Sequence, residues 1–155
     1  MADTKRQKIV SAFIARMQSI LTENDYQTDI GARVEDWPRR FAEADLAEQP
    51  SKAVIGIYDL PDDITKENKS SIRVTHRLRM QARIFITSAT APEDLRKMIG
   101  DVVKAIGVDV TWGDLATDTE PASEGFIVPQ DSMEVAGAAV ECVIEYLTDT
   151  FDPYL

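Results

Sequence analysis

The sequence predicts an α+β fold, an antiparallel sheet with two helices packed on one face and one long strand or hairpin. Two stretches carry apolar residues at helical spacing behind capping residues, and one sixteen-residue run alternates between apolar and polar side chains. Strands that follow one another without an intervening helix pair antiparallel, and the helices then cover one face of the sheet. The length of 155 residues fits one domain spanning residues 1–155.

The first helix is predicted over residues 4–21. Thr4 and Gln7 have the spacing of a capping box, and apolar residues recur behind them every three or four positions. Three bases crowd its first turn, where the helix dipole favours anions: Lys5, Arg6 and Lys8. They are either solvated or bind an acidic neighbour, such as another copy of the chain.

The next segment is predicted as strands joined by polar connections. Residues 26–37 have strand character with a bulge or bend at Gly31, and residues 52–58 are typical of a buried strand. Residues 38–51 are expected to form a long loop or a short helix. Residues 59–71 are expected to form a polar connection, as at the tip of a hairpin.

The clearest signal is a period-two alternation over residues 72–87. Even positions are apolar except for His76, and odd positions carry four arginines: Arg73, Arg77, Arg79 and Arg83. Because sixteen residues exceed the usual length of a strand, we expect a bend here, or one arm of a hairpin that projects from the domain.

The second helix is predicted from the capping-box spacing of Thr90 and Glu93 to a stop at Gly107. Its apolar stripe comprises Leu95, Met98, Ile99, Val102, Val103 and Ile106. Residues 113–132 are then predicted as a long acidic loop, and such a loop in a compact domain is usually functional or disordered.

A final strand is predicted over residues 135–147. Apolar side chains occupy one of its faces, and Glu141 and Glu145 lie on the other. If this strand pairs antiparallel with residues 72–87, its acids face the arginines of that strand, and opposite charges on neighbouring strands stabilise a sheet. Such pairing within one chain is the preferred interpretation of both charged faces.

Charge is unevenly distributed along the chain. The sequence has 17 basic and 27 acidic residues and a net charge of −10, and residues 107–155 contain eleven acids but no lysine or arginine. This acidic region either balances the basic middle of the chain or meets a basic partner. Sequence-independent DNA binding is disfavoured because it needs a cationic surface.

The sequence contains no motif for catalysis, phosphate binding or a zinc site. His76, the single histidine, is expected to be a hydrogen-bonded sheet residue, and Cys142, the single cysteine, a buried apolar residue. The acid clusters lack the spacing of a calcium loop: Asp62-Asp63, and Asp114, Asp118 and Glu120. We therefore expect no enzyme activity, no metal and no cofactor.

The whole-chain pattern resembles the tail terminator, or tail completion, proteins of long-tailed bacteriophages. The features that carry the resemblance are the amphipathic first helix, an apolar strand at residues 53–58, the long alternating strand, and a helix beginning Pro92-Glu93-Asp94-Leu95. An acidic loop follows, then a strand ending Glu145-Tyr146-Leu147-Thr148 and a short tail with Asp152-Pro153-Tyr154. The resemblance covers nearly all of the chain in element order and size.

The resemblance implies a structural protein with no reaction to catalyse. Such a subunit assembles into a homo-hexameric ring that caps the tail tube protein, ends tail polymerisation and joins the tail to the head connector protein. DNA passes through the ring without specific binding, which fits an acidic net charge. The protein is expected to be made in the host cytoplasm and to reside in the virion, at the neck end of the tail, without membrane contact.

The segregated charge suggests how neighbouring subunits meet. We expect bases of the first helix or the long strand to contact acids of residues 107–155 in the next copy, so that different faces of the two subunits meet. The candidate interface bases are Lys5, Arg6, Lys8, Arg73, Arg77, Arg79 and Arg83. The candidate acids are Asp114, Asp118, Glu120 and Glu124.

Three alternatives remain open. A head–tail joining (neck) protein would share the ring but contact the portal side. An adaptor would use the acids of residues 107–155 to mimic DNA and bind a basic protein. A small enzyme or ligand-binding domain would need a pocket, and His76 is the side chain suited to general acid–base catalysis near neutral pH.

Overall fold

The computed structural model describes residues 2–38, 53–87, 91–127 and 136–155, and it has the predicted α+β class. Within these ranges the α-helices are α1 (Lys5–Gln18) and α2 (Ala91–Ile106). Its strands are β1 (Val34–Asp36), β2 (Ala53–Asp59), β3 (Asp63–Thr65), β4 (Arg73–Ile86), β5 (Asp118–Ile127) and β6 (Ala136–Asp149). The predictions for residues 39–51, for the Thr90 cap and for residues 128–132 lie outside the described residues.

The six strands form one sheet in the order β1-β2-β4-β6-β5, and β3 pairs with β4 on the side away from β6. All neighbours are antiparallel except β1 and β2, which are parallel. β4 pairs with β6 along all fourteen of its residues, from Arg73 opposite Asp149 to Ile86 opposite Ala136. The long strand is therefore a fully paired central strand and not a projecting arm.

Both helices pack on the face formed by the even-numbered residues of β4. Leu78 and Met80 of that face lie in one buried cluster with Phe13 of α1 and with Leu95 and Val102 of α2. Burial of each large apolar side chain contributes roughly 1.5–3 kcal/mol to stability. The predicted apolar face of the first helix is confirmed, and so is the inward face of the long strand from Val74 to Ile86. Ile72, predicted on that face, precedes the strand and is exposed.

β6 shows the predicted alternation as well. Its buried residues include Ala138, Val140, Cys142, Ile144 and Tyr146. Burial raises the pKa of the Cys142 thiol to about 12. Because the thiolate is the reactive form of cysteine, this side chain is an inert part of the core near neutral pH.

The predicted cap of the first helix is also present. Thr4 Oγ1 accepts a hydrogen bond from the Gln7 N–H at 3.1 Å, which satisfies one of the free donors of the first turn. α2 ends at Ile106, directly before Gly107 as predicted.

Two predicted connections contain strands, so the prediction of a loop was wrong at these positions. Residues 118–127, assigned to the acidic loop, form β5, and residues 63–65, assigned to a polar connection, form β3. Most side chains of these strands are exposed, so neither strand shows the alternation that marks a half-buried strand. Pro121 lies at an irregularity of the β5–β6 pairing, where a missing N–H is tolerated.

Residues 26–37 form a strand only at β1, because a 3-10 turn at Ile30–Ala32 precedes it. In this turn Gly31 lies against the end of α1. A Cβ atom on Gly31 would come within 2.5–2.8 Å of three carbonyl oxygens of that helix end. Gly31 therefore allows a close approach of two backbones, which differs from the predicted bulge.

Candidate functional site

The outer face of the sheet, which carries the odd-numbered residues of β4, holds a ladder of ion pairs. Arg77 donates to Glu120 of β5 at 2.8 Å and to Glu145 of β6 at 3.2 Å. Arg79 donates to Glu141 of β6 at 3.2 Å. The hydrogen bond that Arg77 donates to Glu120 raises the pKa of Arg77. The predicted pairing of the basic and acidic faces within one chain is confirmed.

The two other arginines of this face also have partners in their own chain. Arg73 forms an ion pair with Asp149 at an N–O distance of 3.5 Å. Arg83 donates to Gln81 at 2.6 Å, and its guanidinium lies 4.7 Å from the centroid of the Tyr58 ring. The predicted interface arginines of the long strand are therefore engaged in the isolated subunit.

Arg6 anchors the start of α1 to the connection between β2 and β3. Its guanidinium pairs with the carboxylates of Asp59 and Asp62 and donates to the carbonyl oxygen of Leu60 at 2.9 Å. The Asp62 side chain is only 7% exposed. Arg6 thus compensates a carboxylate that is almost fully removed from water, and this contact was not predicted from the sequence.

Asp62 also contacts His76, the histidine on the inward face of β4. His76 Nδ1 lies 3.1 Å from Asp62 Oδ2, and His76 Nε2 lies 2.8 Å from Thr148 Oγ1. The Tyr146 hydroxyl donates to Asp62 at 2.8 Å, and its ring stacks on His76 with centroids 4.6 Å apart. Thr148 is 5% exposed, so its hydroxyl is not presented to a substrate. His76 is thus the hydrogen-bonded sheet residue that the sequence predicts.

Lys5 and Lys8 flank Arg6 and differ in their surroundings. Lys5 Nζ donates to the carbonyl oxygen of Leu147 at 2.9 Å, close to the end of β6. Lys8 is exposed. Of the three predicted interface bases on α1, two therefore hold the helix to the sheet.

The four candidate acids are dispersed. Glu120 is bound by Arg77, and the Asp118 side chain accepts a hydrogen bond from the Thr119 N–H at 2.8 Å. Asp114 lies in the turn before β5, and Glu124 lies within β5, and both are exposed. β5 is the last strand of the described sheet, next to β6, and it carries three acids and no lysine or arginine.

A cleft of about 600 Å³, which was not predicted from the sequence, lies between the end of α2 and β5. Its lining includes Val103, Val110, Pro121 and Val140, with Glu124 among its polar residues. Val103 was predicted to lie in the buried stripe of the second helix, but it is 41% exposed because it borders this opening.

Exposed apolar residues and lysines lie at β3 and in the connection that follows it, on the side of β4 away from β6. Ile64 of β3 is 62% exposed, and Ile72, just before β4, is 74% exposed. Lys66 and Lys69 lie on the connection between them and are also exposed. The acids of β5 thus contrast with β3 and the connection after it, where two exposed isoleucines and two lysines lie beside the acids Asp63 and Glu67.

Within the four described ranges, no group of three or more His, Cys, Asp or Glu side chains is arranged to hold a metal ion. None of the described helices is both long enough and apolar enough to cross a membrane. The sequence matches no protein-family model, and it has no significant match among curated proteins.

Proposed function

We propose that this protein is the tail terminator of a long-tailed bacteriophage. It is a structural subunit whose six-fold ring caps the tail tube, ends tail polymerisation and provides the joint to the head connector, so it acts in the virion. Most of the element order that suggested this family is present: α1, the apolar β2, the long β4, α2 and the final β6, whereas part of the expected acidic loop forms β5.

The observation that carries the proposal is the pair of unlike edges on one sheet. β5 is an acidic strand at one end of the described sheet. β3, on the other side of β4, carries the exposed Ile64 beside Asp63, and the connection after it holds two lysines and one glutamate, so that connection is net positive. A subunit with two different, complementary edges associates head to tail. Head-to-tail contacts close into a ring when the rotation between neighbours allows it.

The outer face of the sheet is consistent with passage of DNA. A channel that lets DNA slide must avoid multiple phosphate contacts, because these bind DNA of any sequence. Arg77 and Arg79 are bound by glutamates of the same chain, and the net charge of the chain is −10. A wall formed by such a surface would not hold the phosphate backbone.

Two measurements on the purified protein test the proposal. Native mass spectrometry with negative-stain microscopy, across concentration and salt, is expected to show a ring with a central hole. Added to polymerising tail tube protein, the chain is expected to stop tube growth and to be found at one tube end.

Tubes that lengthen as before, with no protein at either end, would overturn the proposal. Binding to the head connector but not to the tube would assign the chain to the neck instead. Capture by a basic host protein without binding to tubes would favour the adaptor.

A further inference from the structure

We infer that the connection between β3 and β4, residues 66–72, docks in the cleft between α2 and β5 of a second copy of this chain. The inference rests on the proposed ring and names the surfaces that repeat around it. It differs from the expectation drawn from the sequence, because Arg6 and the arginines of β4 are engaged within their own chain.

The cleft can receive a short segment of another chain. Its volume of about 600 Å³ lies within the range of roughly 300–1,000 Å³ that holds small ligands. Val140 and Cys142 are buried residues of its lining, while Val103 and Val110 are 41% and 37% exposed. Covering these exposed valines removes apolar surface from water, which favours association.

The connection after β3 presents a fixed apolar side chain. Ile72 is 74% exposed, and its carbonyl oxygen accepts hydrogen bonds from the Thr150 N–H at 2.7 Å and the Thr150 hydroxyl at 3.0 Å. The Asn68 side chain accepts from the N–H and the hydroxyl of Ser70 at 3.0 and 2.7 Å. A segment that is already ordered loses less conformational entropy on binding.

Charge complementarity favours this segment as the occupant of the cleft. The connection carries the exposed Lys66 and Lys69 and one acid, Glu67, so it is net positive, and the exposed Glu124 lies at the cleft. Opposite charges at the rim of an interface speed association and fix its orientation. The fully exposed Phe151 is another apolar candidate, but acidic residues flank it, so it would place like charges against the acidic edge.

The two surfaces lie at different strands of the sheet, so one copy can present each of them to a different neighbour. β4 and β6 separate β3 from β5, a distance of roughly 14 Å at about 4.8 Å per strand. A contact in which the connection of one subunit enters the cleft of the next, and which that neighbour does not return, repeats in one direction around a ring.

Charge reversal with complementation tests the contact. Lys69→Glu alone and Glu124→Lys alone are each expected to raise the dissociation constant of the assembly about tenfold or more, because each places like charges together. A 1:1 mixture of the two variants is expected to restore assembly, since subunits that alternate around the ring then place opposite charges at every contact. Glu23→Lys makes the same charge change on an exposed turn away from the cleft, and it is expected to assemble like the wild type.

Assembly is measured by native mass spectrometry. If the wild type assembles only on tail tubes, the same variants are compared in the tube-capping experiment. Either single variant assembling like the wild type, or a mixture that fails to restore assembly, would overturn the inferred contact while leaving the proposed function in place. A wild-type chain that neither assembles nor caps tubes would overturn both. Unchanged far-UV circular dichroism and thermal unfolding confirm that the variants are folded.

Discussion

Arg6 holds the first helix to the sheet through carboxylates that are largely removed from water. The Asp62 side chain is 7% exposed and also accepts a hydrogen bond from Tyr146. Removing one partner of a buried carboxylate leaves part of its lost hydration uncompensated. The contact therefore contributes to the stability of the subunit as well as to the position of α1.

Arg6→Gln is expected to lower the free energy of unfolding by about 1–3 kcal/mol. Urea denaturation near neutral pH measures this change. Lys8→Gln removes the same charge from an exposed position of the same helix, and a change within about 0.5 kcal/mol is expected. Equal losses in the two variants would contradict the anchoring role of Arg6.

Two glycines provide a second comparison at the level of single residues. A Cβ atom on Gly31 would lie within 2.5–2.8 Å of backbone oxygens, whereas a Cβ atom on Gly100 in α2 would meet nothing within 4 Å. We expect Gly31→Ala to destabilise the fold by about 1–3 kcal/mol through overpacking. Gly100→Ala should stabilise it by about 0.5–1 kcal/mol through helix propensity. Thermal unfolding of the two variants distinguishes these effects. A Gly31→Ala protein as stable as the wild type would refute the close approach of the two backbones at Gly31.

At the scale of elements, the turn between α2 and β5 is organised by Asp109. Its carboxylate accepts hydrogen bonds from the Thr111 hydroxyl at 2.6 Å, the Gly113 N–H at 2.8 Å and the Thr111 N–H at 2.9 Å. These bonds lower the pKa of Asp109 from 3.8 to about 2. The same turn places Trp112, 2% exposed, 5.2 Å from the ring of Phe13.

Asp109→Asn is expected to destabilise the protein near neutral pH. The folded-state pKa is depressed, so the contribution of the wild-type carboxylate is full above pH 3.8 and is lost as the pH falls through about 2. The difference in unfolding free energy between the two proteins, measured against pH, should therefore shrink in acid. Asp114→Asn in the same turn is the control, and a pH-independent difference for Asp109→Asn would contradict this role.

Periodicity decided which elements the sequence could predict. α1 and β4 each have one buried face, so their apolar residues recur at the spacing of a helix and a strand. β3 and β5 are exposed edge strands and lack that pattern. β1 has only three residues, and a turn held against α1 precedes it.

Sequence patterns predicted only part of the candidate site. Alternation along two long strands placed arginines opposite glutamates, and the ladder of Arg77 and Arg79 follows from it. The contact of Arg6 with Asp62 joins positions 56 apart, so no local pattern reveals it. The cleft was missed because Val103 has the spacing of a core residue whether or not another element covers it.

At the scale of the whole molecule, the net charge of −10 is arranged as unlike surfaces. The acids of β5 lie at one end of the sheet, while Lys66 and Lys69 lie in the connection after β3, on the far side of β4 and β6. Exposed charges are screened beyond about 10 Å at 0.1 M salt. Association through these edges should therefore weaken as salt is raised, whereas the buried contacts of the subunit should change little.

The most direct test of the proposed ring is native mass spectrometry of the purified protein over a range of concentration and salt, with images of the same samples. We expect a dominant species of six times the 17.3 kDa chain mass, seen as a ring with a central hole and weakened by salt. A strict monomer in all conditions that also fails to bind the end of a tail tube would contradict the proposed function.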